Sequence, residues 1–486
     1  MNNQTKILLI SPPQKFYGDS LGFNVYFPLS LLNIAAMVKD LCHVKILDCL
    51  IEDFEIKKGN NWTLYGTPYP KLKEIIKKEA PDIVGITIPF SSQSESAKKV
   101  GIICREIDPN ITVVMGGPHV AVGYEALLHE EICDFCIVRE GEITFREFIR
   151  KMISNEKIHG LKGLAYKKNH KIIYEPREDL IELDNLPFPA YELLDHNKYL
   201  QSPYLYKSRS GIAANSISMI TSRGCPYKCT FCSIAKHMGR KYRYHSSVYV
   251  IEHIRYCVEK MGVNNFHFED DNISLIKKRF GEIIDKIIGN NLDISWDTPN
   301  GVRAETLDYN LLKKAKKSGC NSLQIAIESG NQDVLNNIIK KNSSLKAIEK
   351  VTGFCNNLKI PLRAFYVIGF PGETMENIYD TINLALKLFK VENVFPILLF
   401  ATPLYGTELY NECVEKKLID QIFSDEELSQ ATQFYGNPLI STNEFSKDDL
   451  KKIGRYFEEE MNRIISDGTY RQVLTNKRAL FANGKH

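Results

Sequence analysis

Two successive runs of alternating strand-like and helix-like segments dominate this chain and restrict it to an α/β architecture. In the second run, SISMITS, FHFEDDN, ISWDTPN, SLQIAIESG, RAFYVIGFPGET and VFPILLFATP are short apolar stretches of strand character. Amphipathic stretches such as SSVYVIEHIRYCVEKMG, SLIKKRFGEIIDKIIGNN and NSSLKAIEKVTGFCNNLK separate them. Six repeats across residues 206–410 predict a partial (β/α)6 barrel of the TIM type, whose chemistry belongs at the carboxyl ends of its strands.

The first run covers residues 1–150. KILLI, VKILD, DIVGITI, ITVVMGG and FCIVREGE alternate with PLSLLNIAAMVKD, KLKEIIKKEA, SESAKKVGIICREI and TFREFIRKMI. This rhythm predicts a doubly wound, Rossmann-like sheet with its ligand crevice outside the carboxyl ends of the strands. Those ends carry Ser11-Pro12-Pro13, Asp48, Thr87 to Ser92 and Gly116-Gly117-Pro118-His119, small and polar residues that leave room for a large ligand. Residues 151–205, with GLKGLAYKKNHKIIYEP and DNLPFPAYELLD, read as a linker with a small hairpin. Residues 411–486 read as a small, mainly helical C-terminal region. There Leu450, Ile453, Phe457, Met461 and Ile464 recur at the spacing of a packing helix.

At 486 residues, 44% hydrophobic, the chain has material for two or three cored domains. Its net charge of +3 comes without a long basic run or an aromatic–basic ladder, so no nucleic-acid surface is indicated. No apolar run approaches the ~18–20 residues of a transmembrane segment. The start, MNNQTKILLISPPQ, enters a strand directly, which gives the expectation of a cytoplasmic location.

Of the twelve cysteines only three cluster, and the others are expected to be reduced core thiols. Cys225, Cys229 and Cys232, in GCPYKCTFC, follow an apolar strand in a loop opened by Gly224 and Pro226. Three thiolates on a 4Fe-4S cluster leave one iron open for chemistry. The competing reading is a structural zinc site, which prefers four ligands in two CxxC-like pairs, and no second pair is near.

The spacing CxxxCxxC, with Phe231 before the third cysteine, resembles the signature of the radical S-adenosylmethionine superfamily. The resemblance implies that the open iron chelates the methionine amino and carboxylate groups of the cofactor. It implies that Glu269 and Asp270, in Glu269-Asp270-Asp271-Asn272, lie near the methionine ammonium. An acidic turn capping the next helix is the competing reading for Asp271 and Asn272. Arg303 is implied at the methionine carboxylate, and Glu328 and Ser329 at the ribose. Gly369 and Gly372, in GFPGET, are implied to let backbone approach the adenosyl group.

The preceding unit, with PLSLLNIAAMV, VVMGGPHVA and REGEITFREFI, resembles the cobalamin-binding domain of the cobalamin-dependent radical S-adenosylmethionine enzymes. Together the two resemblances span most of residues 1–410. One departure stands out: where corrinoid domains with a histidine ligand carry DxHxxG, expected here after the second strand, this chain has Asp48-Cys49-Leu50-Ile51-Glu52-Asp53. The implied cobalamin therefore has no histidine lower ligand, and Leu50 is expected beneath the corrin. Gly116 and Gly117 are expected to pass close to the cofactor, with Ser91 and Ser92 as hydrogen-bond partners. His119 is expected to be a rim group rather than a cobalt ligand.

The resemblance implies a methyltransferase acting on an unactivated carbon of a small-molecule substrate, through methylcobalamin and a 5′-deoxyadenosyl radical, with an electron donor such as flavodoxin or ferredoxin. One alternative is a radical oxidation, cyclisation or rearrangement that uses cobalamin without methyl transfer, as in the porphyrin-ring cyclase branch. Another is a non-catalytic metal-binding or regulatory protein.

Overall fold

The computed structural model describes residues 5–18, 23–206, 215–420, 422–433 and 436–467. The first unit is built on β1 (Lys6–Ser11), β2 (His43–Asp48), β3 (Ile83–Thr87), β4 (Thr112–Gly116) and β5 (Phe135–Ile137), parallel and in the order 2-1-3-4-5. Helices Leu29–Val38 and Glu142–Ile153 cover one face, while Tyr69–Glu79, Ser94–Ile107 and Val120–His129 cover the other. Burial on both faces explains why these strands are continuous apolar runs rather than alternating ones. The chain reverses direction across the sheet between β1 and β3, so the crevice lies outside their carboxyl ends.

The hairpin expected within 151–205 is present as β6 (Leu164–Lys168) and β7 (Lys171–Tyr174). It is not free-standing: β6 pairs antiparallel with β5 and extends the sheet. This covers a strand edge that would otherwise be open to pairing with another chain.

The second unit contains β8 (Ser216–Met219), β9 (Asn265–Phe268), β10 (Ser295–Asp297), β11 (Cys320–Glu328), β12 (Leu362–Ile368) and β13 (Val394–Phe400). They pair in sequence order, all parallel, each followed by a helix, which is the predicted partial barrel. Helix ends are set locally. Thr374 and Asn377 form a reciprocal capping box at the start of Met375–Glu392, and Asn393 ends that helix in the left-handed region. Trp296 packs edge-on against Phe268 and against Phe280 of helix Lys277–Gly289, so the helix-facing side of these strands is aromatic. The alternate residues His267 and Asp297 pair at 2.7 Å on the opposite side.

The two units share a core: Phe23, Val25, Phe27 and Leu32 belong to the same buried cluster as the barrel residues Ile217, Phe266 and Trp296. Helix Lys447–Ser466 buries Leu450, Ile453, Phe457 and Met461, as its periodicity predicts. A shorter helix, Asp425–Ala431, reaches the first unit, where Asp425 accepts hydrogen bonds from Ser94 Oγ (2.9 Å) and Glu95 N (2.7 Å). Residues 468–486 of the expected C-terminal region lie outside the described residues. Among the described residues no helix is long and apolar enough to cross a membrane.

Candidate active site

The cysteine loop begins just beyond β8. Ser222–Arg223 pairs with Arg243–Tyr244, and Gly224 then turns at φ +81°, where any side chain would collide with the carbonyl oxygen of Lys241. Backbone bonds from Cys225 N to Gly239 O (3.2 Å) and from Thr230 N to Ile339 O (3.0 Å) hold the loop to the barrel. Cys225, Cys229 and Cys232 are half-exposed, whereas the other nine cysteines are buried. Burial pushes the thiols of Cys225 and Cys229 up, and the cations of Lys341 and Arg303 oppose it. Among the described residues no three His, Cys, Asp or Glu side chains converge to hold a single metal ion. A 4Fe-4S cluster does not need that convergence, because each thiolate binds a different iron. Three accessible thiols on one anchored loop beside two cations therefore fit such a cluster.

The strand ends around this loop differ in what they offer. Glu269 is half-buried and accepts from Ser218 Oγ at 3.3 Å. Asp270 does not face the loop opening: it is 2% exposed and accepts from Thr221 N (3.1 Å), Thr221 Oγ1 (2.8 Å) and the Ser222 hydroxyl. Its carboxylate clasps the segment before the cysteines. Asp271 points the other way. Burial and the neighbouring Asp270 charge push its pKa up to about 7, while a hydrogen bond from Gly224 N opposes them. Its charge is felt by Cys225 and Cys232.

Arg303 stacks its guanidinium 3.8 Å above the Tyr227 ring, and its Nη2 donates to the carbonyls of Lys341 (3.0 Å) and Asn342 (3.1 Å). Glu328, at φ +68°, forms a buried ion pair with Lys341 at 2.7 Å. Ser329 is fully buried and its hydroxyl bonds Thr381 Oγ1 and Asn331 N, bracing the turn after Glu328. Phe231 packs against Phe370 with ring centroids 5.7 Å apart, tying the cysteine loop to the turn after β12. In that turn a Cβ on Gly369 would lie 2.7 Å from Leu450 Cδ1. The missing side chain thus admits the C-terminal helix on that side of the turn. Glu373 accepts from Gly369 N and Phe370 N, both at 2.8 Å.

Two cavities lie where the first unit meets the barrel. One, of about 290 Å³, is mainly apolar and runs beside the sheet past Thr87, Gly116, Gly117 and Ile137 to the barrel residues Arg223 and His237. The other, of about 330 Å³, lies over the strand ends between Ser91, Ser92 and His119 on one side and Lys236, Tyr405 and Gln433 on the other. Both are walled by Pro89, Pro118 and His237. Gly117, at φ +104°, is required by the fold, since a Cβ would lie 2.9 Å from Ile88 O. Gly116 is different: a Cβ there would meet only Ile137, at 4.0 Å, and Gly116 lines the apolar cavity. His119 Nδ1 is hydrogen-bonded to Ser91 Oγ at 2.8 Å, and burial pushes its pKa down to about 4.

Family models match in tandem along the chain: a B12 binding domain over residues 20–149 and the radical SAM superfamily over residues 219–385. An uncharacterized methyltransferase, PH0819, of Pyrococcus horikoshii is 35% identical over 456 residues, covering 93% of this chain and 91% of the relative. This chain belongs to the cobalamin-dependent radical S-adenosylmethionine enzymes. Cytidylyl-2-hydroxyethylphosphonate methyltransferase of Streptomyces wedmorensis is 28% identical, covering 85% of this chain and 83% of its own. The cobalamin-dependent radical enzyme OxsB, solved with aqua-cobalamin and S-adenosylmethionine bound, shares the fold with a TM-score of 0.71 at 15% identity, over 99% of this chain and 70% of that one.

In this radical S-adenosylmethionine enzyme the paired cavities fit a corrinoid in character: both are mainly apolar, and the second adds the hydroxyls of Ser91 and Ser92 and the amides of Gln93 and Gln433 for a corrin fringed with amides. The gap at Gly116 is a cradle that a side chain would fill. Leu50 lines neither cavity. It is 6% exposed and belongs to the core cluster, held there by Asp48, which accepts from Leu50 N (3.0 Å) and the Tyr199 hydroxyl (2.7 Å). The reason is topological: β2 is the edge strand, so the loops after β1 and β3 reach the crevice and the loop after β2 does not. Lys341 and residues 428–433 carry no local sequence signal, because their roles depend on neighbours far along the chain.

Proposed function

We propose that this enzyme methylates an unactivated carbon of a small-molecule substrate. The observation that carries this reading is the continuity of the two sites: helix Ile234–His237 starts two residues after Cys232, and His237 walls both cavities. A substrate placed beyond that helix lies within reach of both cofactors. Two relatives that span most of the chain are named as methyltransferases, which supports methyl transfer over the other radical outcomes.

The chemistry supplied by the bound groups is one-electron reductive cleavage of S-adenosylmethionine and donation of a methyl group from cobalamin. The protein's part is to hold, orient and keep out water. Cys225, Cys229 and Cys232 hold the cluster. Glu269 and Asp271 face the methionine ammonium, while Arg303 and Lys341 face its carboxylate. Glu328, paired with Lys341, would be the residue to accept the ribose hydroxyls. Ser91, Ser92, Gly116 and Gly117 border the corrinoid. The enzyme works in the cytoplasm with a flavodoxin- or ferredoxin-type reductant.

The test is an absorption spectrum of protein purified and reconstituted without oxygen, followed by product mass analysis with candidate substrates. Iron–sulfur and corrin bands together, and a product heavier by one methyl group, support the reading. Iron–sulfur bands with no corrinoid uptake would rule out methyl transfer from cobalamin.

A further inference from the structure

The apolar cavity has one charge on its wall that no carboxylate among the described residues answers. Arg139 follows β5 at φ +74°, a conformation that residues with side chains rarely adopt. Its acidic neighbours are already matched. Glu140 pairs with Arg223 and Arg243, and Glu142 pairs with Arg223, all of them buried. Two carboxylates thus face two guanidinium groups, and Arg139 is left as surplus positive charge. Among the described residues no carboxylate lies within ion-pair distance of it. On the barrel side it meets Gly239, where a Cβ would lie 2.5 Å from Nη2, and His237, whose pKa burial and then the Arg139 charge push down. A partly desolvated, unpaired guanidinium on an apolar wall is costly unless an anion arrives to meet it.

We propose that Arg139 binds the phosphodiester of the cobalamin nucleotide tail. The inference rests on the reading of the two cavities as the corrinoid site. The corrin side chains are neutral amides and the tail ends in an apolar base, so the phosphodiester is the anion that the tail brings into this slot. The planar fork of arginine suits two phosphate oxygens at once, which a lysine cannot reproduce.

The test is anaerobic equilibrium binding of the full-length chain, wild type and Arg139→Gln, read by corrin absorbance with no turnover involved. Three probes separate the contributions: cobalamin, cobinamide, which lacks the whole nucleotide tail, and cobinamide phosphate, which keeps the phosphate and lacks the base. Arg139→Gln should weaken cobalamin and cobinamide phosphate by about 10- to 100-fold, as for a charge-assisted hydrogen bond, and leave cobinamide unchanged. Arg139→Lys should fall between. Equal losses for all three probes, or no loss for cobalamin, would overturn the assignment. A wild-type chain that binds none of the three would instead overturn the corrinoid reading of the cavities.

Discussion

Arg223, two residues before Cys225, donates to Glu142 at 2.6 Å across the boundary between the cobalamin-binding unit and the barrel, and both side chains are 8% exposed. Its other arm reaches Glu140 at 2.9 Å, and Glu140 also receives Arg243. The cysteine loop is therefore fastened to the wall of the apolar cavity by matched buried charges. Burial raises the Glu142 pKa, but Arg223 and Arg243 outweigh it and hold the carboxyl below its usual range.

Breaking this clasp on one side leaves an unanswered buried charge. Arg223→Met should cost roughly 3–5 kcal/mol in denaturant unfolding. It should also alter the electron paramagnetic resonance signal of the reduced cluster. An unchanged unfolding midpoint would show that the pair is screened by water.

Glu373 supplies a pH test. Burial pushes its pKa up from 4.5 to about 7, and its Oε1 has no hydrogen-bond partner among the described residues. Below pH 4.5 folded and unfolded chains both keep the proton, so the acid costs nothing. As pH rises from 4.5 toward 7 the unfolded chain loses the proton first, and the wild type loses stability by about 3 kcal/mol. Glu373→Gln still accepts from Gly369 and Phe370 and does not titrate. The gap between the unfolding free energies of variant and wild type should therefore widen from pH 5 to pH 8. A gap that stays constant would contradict the raised pKa.

The adjacent glycines should behave differently. Gly116→Val should fold within about 0.5 kcal/mol of wild type and fail to take up corrinoid, because the new side chain meets ligand space rather than protein. Gly117→Val should be destabilised before any ligand is added, since its Cβ meets the Ile88 backbone. Leu50→Ala should cost about 2–4 kcal/mol in stability and leave corrinoid uptake intact. Thermal unfolding and corrin absorbance on the same samples separate the three cases.

Replacing Cys225, Cys229 or Cys232 with alanine should each abolish S-adenosylmethionine cleavage. Cys257→Ala and Cys320→Ala, in the core, should retain it. Liquid chromatography of 5′-deoxyadenosine from dithionite-reduced protein reads both sets. Cleavage surviving in any triplet variant would remove that cysteine from the ligand set.

The βα repeats were legible because each strand and helix declares itself through spacing over a dozen residues. The cysteine motif was legible because its three cysteines fall within eight consecutive positions. Glu269 through Asp271 show where such reading stops. Three consecutive acids are equivalent in a string, yet one clasps Thr221 and Ser222, one lies against the cysteine loop and one meets Ser218. Leu50 shows the same limit at the level of topology, since its distance from the crevice follows from β2 being an edge strand.

The sequence by itself determined the two α/β units, their order and the spacing of the three clustered cysteines, because periodicity and short-range spacing are properties of neighbours along the chain. Only the tertiary structure decided which strand-end groups face the cysteine loop, that Arg223 of one unit answers Glu142 of the other, and that His237 borders both cavities. Strand order, side-chain direction and the partner of a buried charge arise from residues far apart in sequence, and local pattern does not encode them.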